Sequence, residues 1–173
     1  MTNHSFVRDE VENLHVSTVI RQLVCFRLGE EEFGINIDSV HEIIKMITVT
    51  HIPQAPDFVE GIINLRGNIT PVVDLRQRFG FPALEKREKE SRIILIEARS
   101  RVVGLIVDAV TEVISLPHEK LDDPFEISNS DIDTHYIEGV SMVGEKLLII
   151  LEAEKIFTEE EIHFANMPHR LKQ

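Results

Sequence analysis

Hydrophobic and polar residues alternate along several short stretches of this chain, with the period of two that is typical of β-strands. An apolar run at 23–26 leads to a turn at Gly29, after which Phe33, Ile35 and Ile37 alternate with small or polar residues. Two such runs separated by a glycine turn indicate a hairpin. We therefore predict that the first ordered element is a β-hairpin.

A second pair of strands is predicted within residues 58–75, on either side of a turn at 64–68. Pro71 lies inside the second of these strands. Because proline has no N–H to donate to a neighbouring strand, we expect an edge or a bulge there. A shorter strand is predicted at 48–52, and a continuous apolar run at 147–151 predicts another.

Helical signals are few and short. Asp38 or Ser39 could cap a short helix, since Ser39 and Glu42 have the spacing of a capping box. Residues 84–91 mix acidic and basic side chains and are predicted to form a solvated linker.

The two ends of the chain are predicted to lie outside the main domain. Residues 1–20 show no strong pattern and are expected to form a tail. Residues 158–173 are expected to hold a short helix and a tail, because Thr158 and Glu161 have capping-box spacing and Pro168 would stop the helix.

The pattern is duplicated within the chain. Five positions recur seventy residues later in the same order: Gly34, Asp38, Val40, Glu42 and Ile44 return as Gly104, Asp108, Val110, Glu112 and Ile114. A second block at 58–62 recurs at 136–140, and residues 115–135 form a longer, acidic insertion in the second copy. Two copies of about sixty residues would each be marginal alone. We therefore predict a mainly β protein made of two small barrels that share a core.

One loop does not repeat, and it is the strongest candidate for function. Asn64-Leu65-Arg66-Gly67 stands where the second copy has 142–145. The Arg66 guanidinium could pair with Glu42, remain solvated, or offer its planar fork to a partner's carboxylate or carbonyl. The sequence leaves these three alternatives open. The repeated Gly61 and Gly139 are interpreted as positions of special dihedral or close backbone approach.

Composition excludes several classes of partner. The 173 residues carry 18 Lys and Arg against 30 Asp and Glu, a formal net charge of −12, which repels nucleic-acid phosphates and anionic lipids. We expect no nucleic-acid partner and no direct membrane insertion. Cys25 is the single cysteine and lies in an apolar run, so a buried thiol and a reducing, cytoplasmic setting are expected.

A search for catalytic chemistry finds little. Asp38 and Glu42 would share one helix face, but the pair recurs as Asp108 and Glu112, which favours capping and turn formation for the aspartates. The sequence contains no nucleophile motif, phosphate loop or metal-ligand spacing. We therefore expect no enzyme activity, no cofactor and no metal.

Several segments together identify a family. They are 26–35, 40–43, 53–56 and 61–76 in the first half, with 104–113 and 137–140 in the second. Over residues 21–157 the chain resembles the CheW family of chemotaxis adaptors. The resemblance implies two SH3-like five-stranded β-barrels that share a hydrophobic core. Their copies would span about 21–83 and 91–157, with exchange of strands between copies allowed.

The resemblance also implies a function. CheW-like proteins are non-catalytic and couple transmembrane chemoreceptors (methyl-accepting chemotaxis proteins) to the histidine kinase CheA in bacterial chemotaxis. They do so by binding the receptor's cytoplasmic hairpin tip and the kinase regulatory domain. The protein would thus be cytoplasmic and recruited to membrane receptor arrays through its partners. A CheW-like scaffold of a non-flagellar receptor–kinase pathway is the alternative.

The receptor-facing residues that the resemblance implies are Val40, Glu42, Val49, Asn64 and Arg66, with Gly61 and Gly67 shaping the surface. We expect a groove between the barrels to take an amphipathic helix, whose apolar contacts supply affinity. Glu42 and Arg66 would fix its orientation.

Overall fold

The computed structural model of the protein describes residues 19–124 and 132–165. Within these residues the fold consists of ten strands and two short α-helices. The strands are β1 (Ile20–Leu28), β2 (Glu31–Asn36), β3 (Val40–Lys45), β4 (Val59–Leu65), β5 (Asn68–Asp74), β6 (Arg92–Ala98), β7 (Arg101–Val107), β8 (Ala109–Pro117), β9 (Ile137–Val143) and β10 (Lys146–Leu151). The helices are α1 (Leu75–Arg78) and α2 (Glu159–Ala165), and 3₁₀ turns occupy Ile37–Ser39, His118–Lys120, Thr134–Tyr136 and Ala153–Lys155.

The ten strands form two five-stranded sheets. The first sheet has the order β8-β1-β2-β10-β9 and the second has the order β3-β6-β7-β5-β4. In the first sheet the β1–β2 hairpin of the first copy joins β8, β9 and β10 of the second copy. In the second sheet the β6–β7 hairpin of the second copy joins β3, β4 and β5 of the first copy. Each sheet is joined across the copies by one parallel contact, β2 with β10 and β5 with β7. The two copies have therefore exchanged their first hairpins.

The predicted hairpins are present. Phe26 of β1 lies opposite Phe33 of β2, and their rings stack 5.7 Å apart. In the second sheet, β5 pairs with β4 along its length but with β7 only from Val72 onward. Pro71 thus sits where β5 still has an open side, as its missing N–H requires.

Neither sheet closes into a barrel. Within the described residues no ladder joins the outer strands of a sheet, and each copy has one isolated bridge instead. Thr50 pairs with Ile62 beside β4, and Asp122 pairs with Val140 beside β9. The mainly β class with two five-stranded units is confirmed, whereas the expected closed barrels are not found. The strand predicted at 48–52 is reduced to this one bridge, because only the backbone of Thr50 pairs with β4.

The repeated glycines explain how the bridges form. A Cβ on Gly61 would lie 2.1 Å from the Thr50 carbonyl oxygen, and a Cβ on Gly139 would lie 2.8 Å from that of Asp122. Both distances are far inside van der Waals contact. Only a residue without a side chain allows the crossing backbone to approach so closely, which agrees with the interpretation of these glycines.

The core has three parts. A central cluster takes buried residues from both sheets, including Phe33, Val73, Leu105 and Ile149, so the predicted shared core is present. Each sheet also has a smaller apolar cluster of its own, around Cys25 in the first sheet and around Ile63 and Ile93 in the second. Burial raises the pKa of the Cys25 thiol to about 12, with further contributions from nearby carboxylates.

The predicted short helix after Asp38 is wrong. Residues Ile37–Ser39 form a single 3₁₀ turn, which is capped by Asn36 through a 3.0 Å hydrogen bond from the Asp38 N–H. The chain then enters β3, which pairs along β6. Pairing with β6 outweighs the local capping signal, as tertiary context commonly does for short helices.

The predicted terminal helix is present as α2. The Thr158 N–H donates to Glu161 Oε1 at 2.9 Å, and the Glu161 N–H donates to Thr158 Oγ1 at 3.1 Å, which is a complete capping box. Pro168 lies outside the described residues. No helix that the structure describes is long and apolar enough to cross a membrane.

The linker at 84–91 forms neither helix nor strand, as predicted, but it is tied down by charge. Arg87 lies 3.2 Å from an Asp74 carboxylate oxygen and 3.3 Å from one of Glu60. Glu88 pairs with Arg27 at 3.1 Å. The linker is thus held to both sheets rather than simply solvated.

Candidate functional site

The loop that fails to repeat is the turn between β4 and β5. Arg66 and Gly67 both have positive φ, 51° and 86°, which is typical of a two-residue hairpin turn. The Asn64 side chain closes the turn by accepting the Gly67 N–H at 3.0 Å. A Cβ on Gly67 would meet nothing within 4 Å, so glycine is favoured there by its dihedral alone. Asn64 and Gly67 therefore set the direction in which Arg66 projects.

The Arg66 guanidinium makes a two-point contact with the Glu42 carboxylate. The Nη1–Oε2 and Nη2–Oε1 distances are 3.0 Å and 2.5 Å. Hydrogen bonding to Glu42 raises the pKa of Arg66, with Coulomb attraction adding to it. Of the three alternatives that the sequence left open, the structure has the internal pair. The Arg66 side chain is 71% exposed and that of Glu42 33%, so the pair contributes little to stability and stays accessible.

A register irregularity in β3 helps to place Glu42. Val40 lies opposite Ile96 while Glu42 lies opposite Leu95, so His41 is the extra residue of a bulge. The same irregularity recurs in β8, where Glu112 lies opposite Cys25. The backbone that holds the carboxylate is therefore a property of the duplicated fold, and only the arginine is particular to the second sheet.

Glu42 and Arg66 line one groove of about 400 Å³. The side chains of Leu65, Ile69, Leu95 and Val102 add apolar surface, and the remaining lining comes from His41, Asn68, Thr70, Ser100 and Arg101. Ile69 is 55% exposed and Val102 37%, so the groove presents apolar surface to solvent. A groove with apolar walls and a few fixed polar groups is suited to binding a peptide segment.

The position of this groove differs from the expectation. All of its lining residues belong to strands or turns of the second sheet, namely β3, β4, β5, β6 and β7. The groove is thus a feature of one sheet and does not lie between the two. Strand exchange is the reason, since it brings β6 and β7 of the second copy between β3 and β5 of the first.

The other predicted site residues lie elsewhere. Val40 packs against the shared core, and Val49 packs against the inner cluster of the second sheet. Gly61 is buried, with Val49 Cγ1 3.0 Å from the position of a Cβ. None of these three lines the groove. Asn64 and Gly67 act on it through the turn.

Sequence reasoning missed one wall of the groove. Ser100, Arg101 and Val102 come from the turn and first residues of β7, in the second copy of the repeat. Nothing in the sequence near these residues indicates that they lie close to Arg66. Ser100 has a positive φ of 63°. Serine rarely adopts this conformation, so the sequence does not predict the turn.

The equivalent hairpin of the first sheet has different chemistry. Gly144 stands in place of Arg66, and Met142 stands in place of Asn64. Met142 is 57% exposed. This hairpin therefore offers Glu112 no guanidinium equivalent to that of Arg66.

The helix face predicted to carry both Asp38 and Glu42 is not formed. Asp38 lies in a 3₁₀ turn rather than on a helix face with Glu42. Asp108 caps no helix, but its role is structural as expected, because its carboxylate accepts the N–H of Gly29 in the β1–β2 turn and pairs with Arg76. Across the described ranges, no group of three or more His, Cys, Asp or Glu side chains is placed to hold a metal ion. The groove can bind by shape, apolar contact and charge.

Comparison with known proteins gives consistent results. The family model for the CheW-like domain matches residues 22–161. The chain is 38% identical to a chemotaxis protein CheW of Klebsiella aerogenes over 152 residues, which is 88% of this chain and 90% of that protein. It is 37% identical to the CheW protein of Treponema pallidum over 144 residues, 82% of this chain and 84% of that one.

A solved structure agrees with the fold. The scaffolding protein TtCheW of Thermoanaerobacter tengcongensis is 41% identical in sequence and superposes with a TM-score of 0.74. The match covers 83% of this chain and 91% of that one.

Proposed function

This chain belongs to the CheW-like domain family, and we propose that it is a non-catalytic adaptor that couples transmembrane chemoreceptors to the histidine kinase CheA in chemotaxis signalling. Curated relatives are named as chemotaxis proteins CheW, and the solved relative is described as a scaffolding protein. Both descriptions are of those proteins, and they support a binding role for this one.

The observation that carries the proposal is the Glu42–Arg66 pair at the edge of an open groove with apolar walls. An amphipathic helix lying in such a groove would bury Ile69 and Val102, which are both partly exposed in the free protein. The paired charges would set the orientation of the helix, because a desolvated ion pair rejects a misplaced apolar or like-charged neighbour. We propose that the helix belongs to the cytoplasmic hairpin tip of the receptor.

The remaining site residues support this surface indirectly in the proposal. Asn64 and Gly67 hold the turn from which Arg66 projects. Gly61 and Val49 hold the bridge segment against β4. Val40 fixes the start of β3 on the shared core, and thereby the position of Glu42.

The kinase regulatory domain would bind a separate surface, so that receptor and kinase are held together. Receptor state then biases the kinase through geometry, with no covalent step in the adaptor. Dissociation constants near micromolar, about −8 kcal/mol, suit a component that must release and respond. The protein would act in the cytoplasm at receptor arrays, to which its partners recruit it.

The test is co-sedimentation of the protein with a receptor cytoplasmic fragment and with the kinase, separately and together. Arg66→Glu, which places like charges beside Glu42, should abolish receptor binding and leave kinase binding and thermal unfolding unchanged. Glu112→Arg is the matched control for Glu42→Arg, since both carboxylates occupy the same position in the two copies. Only Glu42→Arg should weaken receptor binding.

Two results would refute the proposal. Unchanged receptor binding by Arg66→Glu and Glu42→Arg would mean that the groove is not the receptor surface. Failure of the three wild-type proteins to form a ternary complex, with each binary complex intact, would contradict bridging.

A further inference from the structure

Arg66, the arginine singled out from the sequence, is not the positive charge that is available to a ligand in the groove. Arg66 already has its guanidinium edge filled by Glu42 through two hydrogen bonds. A ligand carboxylate could bind this edge of Arg66 only by displacing Glu42. The partly buried Glu42 carboxylate would then be left unpaired. Arg66 is therefore poorly placed to be the anchor for an anionic group.

Arg101 lies in the same groove and has no such partner. It is the first residue of β7 and is exposed. Its side chain makes no hydrogen bond or ion pair with any residue that the structure describes. Its neighbours in the groove include the exposed apolar side chains of Ile69 and Val102.

The turn that carries Arg101 is anchored to the rest of the protein. Arg99 and Ser100 form a two-residue turn with φ of 50° and 63°, and Ala98 pairs with Arg101 across it. The Arg99 N–H donates to Glu154 Oε2 at 2.8 Å, and its Nε donates to the Phe157 carbonyl at 3.1 Å. The backbone below Arg101 is thus fixed before any ligand arrives, which lowers the entropic cost of binding.

The formal charges of the residues that line the groove also favour Arg101 as the residue that meets an anionic group. Glu42 and Arg66 cancel each other, so Arg101 is the uncompensated formal charge on the described lining of the groove. The whole chain has a net charge of −12, so this single positive charge is opposite in sign to that of the protein as a whole. A positive charge at this point favours ligands that place a negative group beside it.

We infer that Arg101 is a specificity-determining residue that pairs with a carboxylate on an amphipathic helix whose apolar side chains cover Ile69 and Val102. The Glu42–Arg66 pair, whose charges cancel, then forms one side of the groove and contributes shape rather than net charge. This inference rests on the proposed function, since it identifies the chemistry of the receptor helix that the same groove takes.

The experiment measures the dissociation constant of a soluble receptor cytoplasmic fragment for the full chain at low and high salt. Arg101→Glu should weaken binding about tenfold at low salt, and the loss should narrow as salt screens the pair. Arg101→Lys should retain most of the affinity. Lys120→Glu is the matched control, because it makes the same change of charge at an exposed residue outside the groove.

A reciprocal change identifies the partner group. Single Asp→Lys and Glu→Lys variants of the receptor fragment are tested against Arg101→Glu, and one of them should restore binding to this variant while weakening it to the wild type. Such a pair would establish a direct contact.

The outcomes separate this inference from the proposed function. If Arg66→Glu abolishes binding but Arg101→Glu behaves like Lys120→Glu, the inference is wrong and the proposed receptor surface stands. If neither arginine affects binding, both are wrong. If no reversed carboxylate restores binding to Arg101→Glu, the direct pairing is refuted.

Discussion

Arg76 and Asp108 form a buried two-point ion pair at the junction of the two sheets. Arg76 Nε lies 2.8 Å from Asp108 Oδ1, and Nη2 lies 2.6 Å from Oδ2. Arg76 follows β5 of the second sheet, and Asp108 lies between β7 and β8, where the chain passes from the second sheet to the first. The Gly29 N–H of the β1–β2 turn donates to the same carboxylate at 2.7 Å. The pair thus connects both sheets.

Asp108→Asn should destabilise the protein strongly, because it leaves the Arg76 guanidinium buried without its counter-charge. Breaking a buried pair in this way costs about 3–5 kcal/mol. Urea denaturation gives the free energy of unfolding. Asp38→Asn is the matched control, since Asp38 is the repeat equivalent and is exposed, and it should change stability by less than about 0.5 kcal/mol. Equal effects of the two substitutions would contradict the structural role given to the pair.

The same pair predicts how stability depends on pH. Burial raises the pKa of Asp108, but hydrogen bonds from Arg76 and the Gly29 N–H, with Coulomb attraction to Arg76 and Arg27, outweigh it and leave the pKa below its ordinary value. A carboxylate with a lowered pKa stabilises the fold above its unfolded pKa of about 3.9, and that stability is lost as the pH falls through the folded value. The stability gap between wild type and Asp108→Asn should therefore be full at neutral pH and shrink below about pH 4. A gap independent of pH would refute the assignment.

Gly61→Ala should cost far more than Gly67→Ala, although both glycines have positive φ. At Gly61 a Cβ would collide with the Thr50 carbonyl, so the two hydrogen bonds between Thr50 and Ile62 must break or the backbone must strain. We expect a loss of about 3 kcal/mol or more. At Gly67 a Cβ meets nothing, and the expected loss is the dihedral cost of about 1–2 kcal/mol. Thermal unfolding of the two variants measures the difference, and comparable losses would contradict it.

Neither sequence repeat should fold alone. Residues 21–83 supply three strands to one sheet and two to the other, and residues 91–157 supply the complement. Each fragment would expose the faces that it buries against the other. Circular dichroism should show little β structure for either fragment alone and recovery of the signal when they are mixed. A cooperative unfolding transition in one isolated fragment would contradict the exchanged topology.

Local pattern was enough to predict most of the strands, the capping box at Thr158, and the close approach at Gly61 and Gly139. Each of these depends on neighbours in sequence or on the repetition of a residue with few conformational substitutes. Local pattern wrongly predicted a helix after Asp38, because the residues that follow pair with β6 as strand β3. It also did not identify the partners of Asp108, since Arg76 and Gly29 lie far away in the chain.

The sequence by itself determined that the chain is a duplicated, mainly β adaptor-like domain and that Arg66 stands in the loop that differs between the copies. Only the tertiary structure decided what that loop faces. Exchange of the two first hairpins places β7 beside β5, and so brings Arg101 and Val102 into one groove with Glu42 and Arg66. Periodicity reports which face of a strand is buried, but it carries no information about which strand will lie alongside it, because that choice depends on the packing of the whole core.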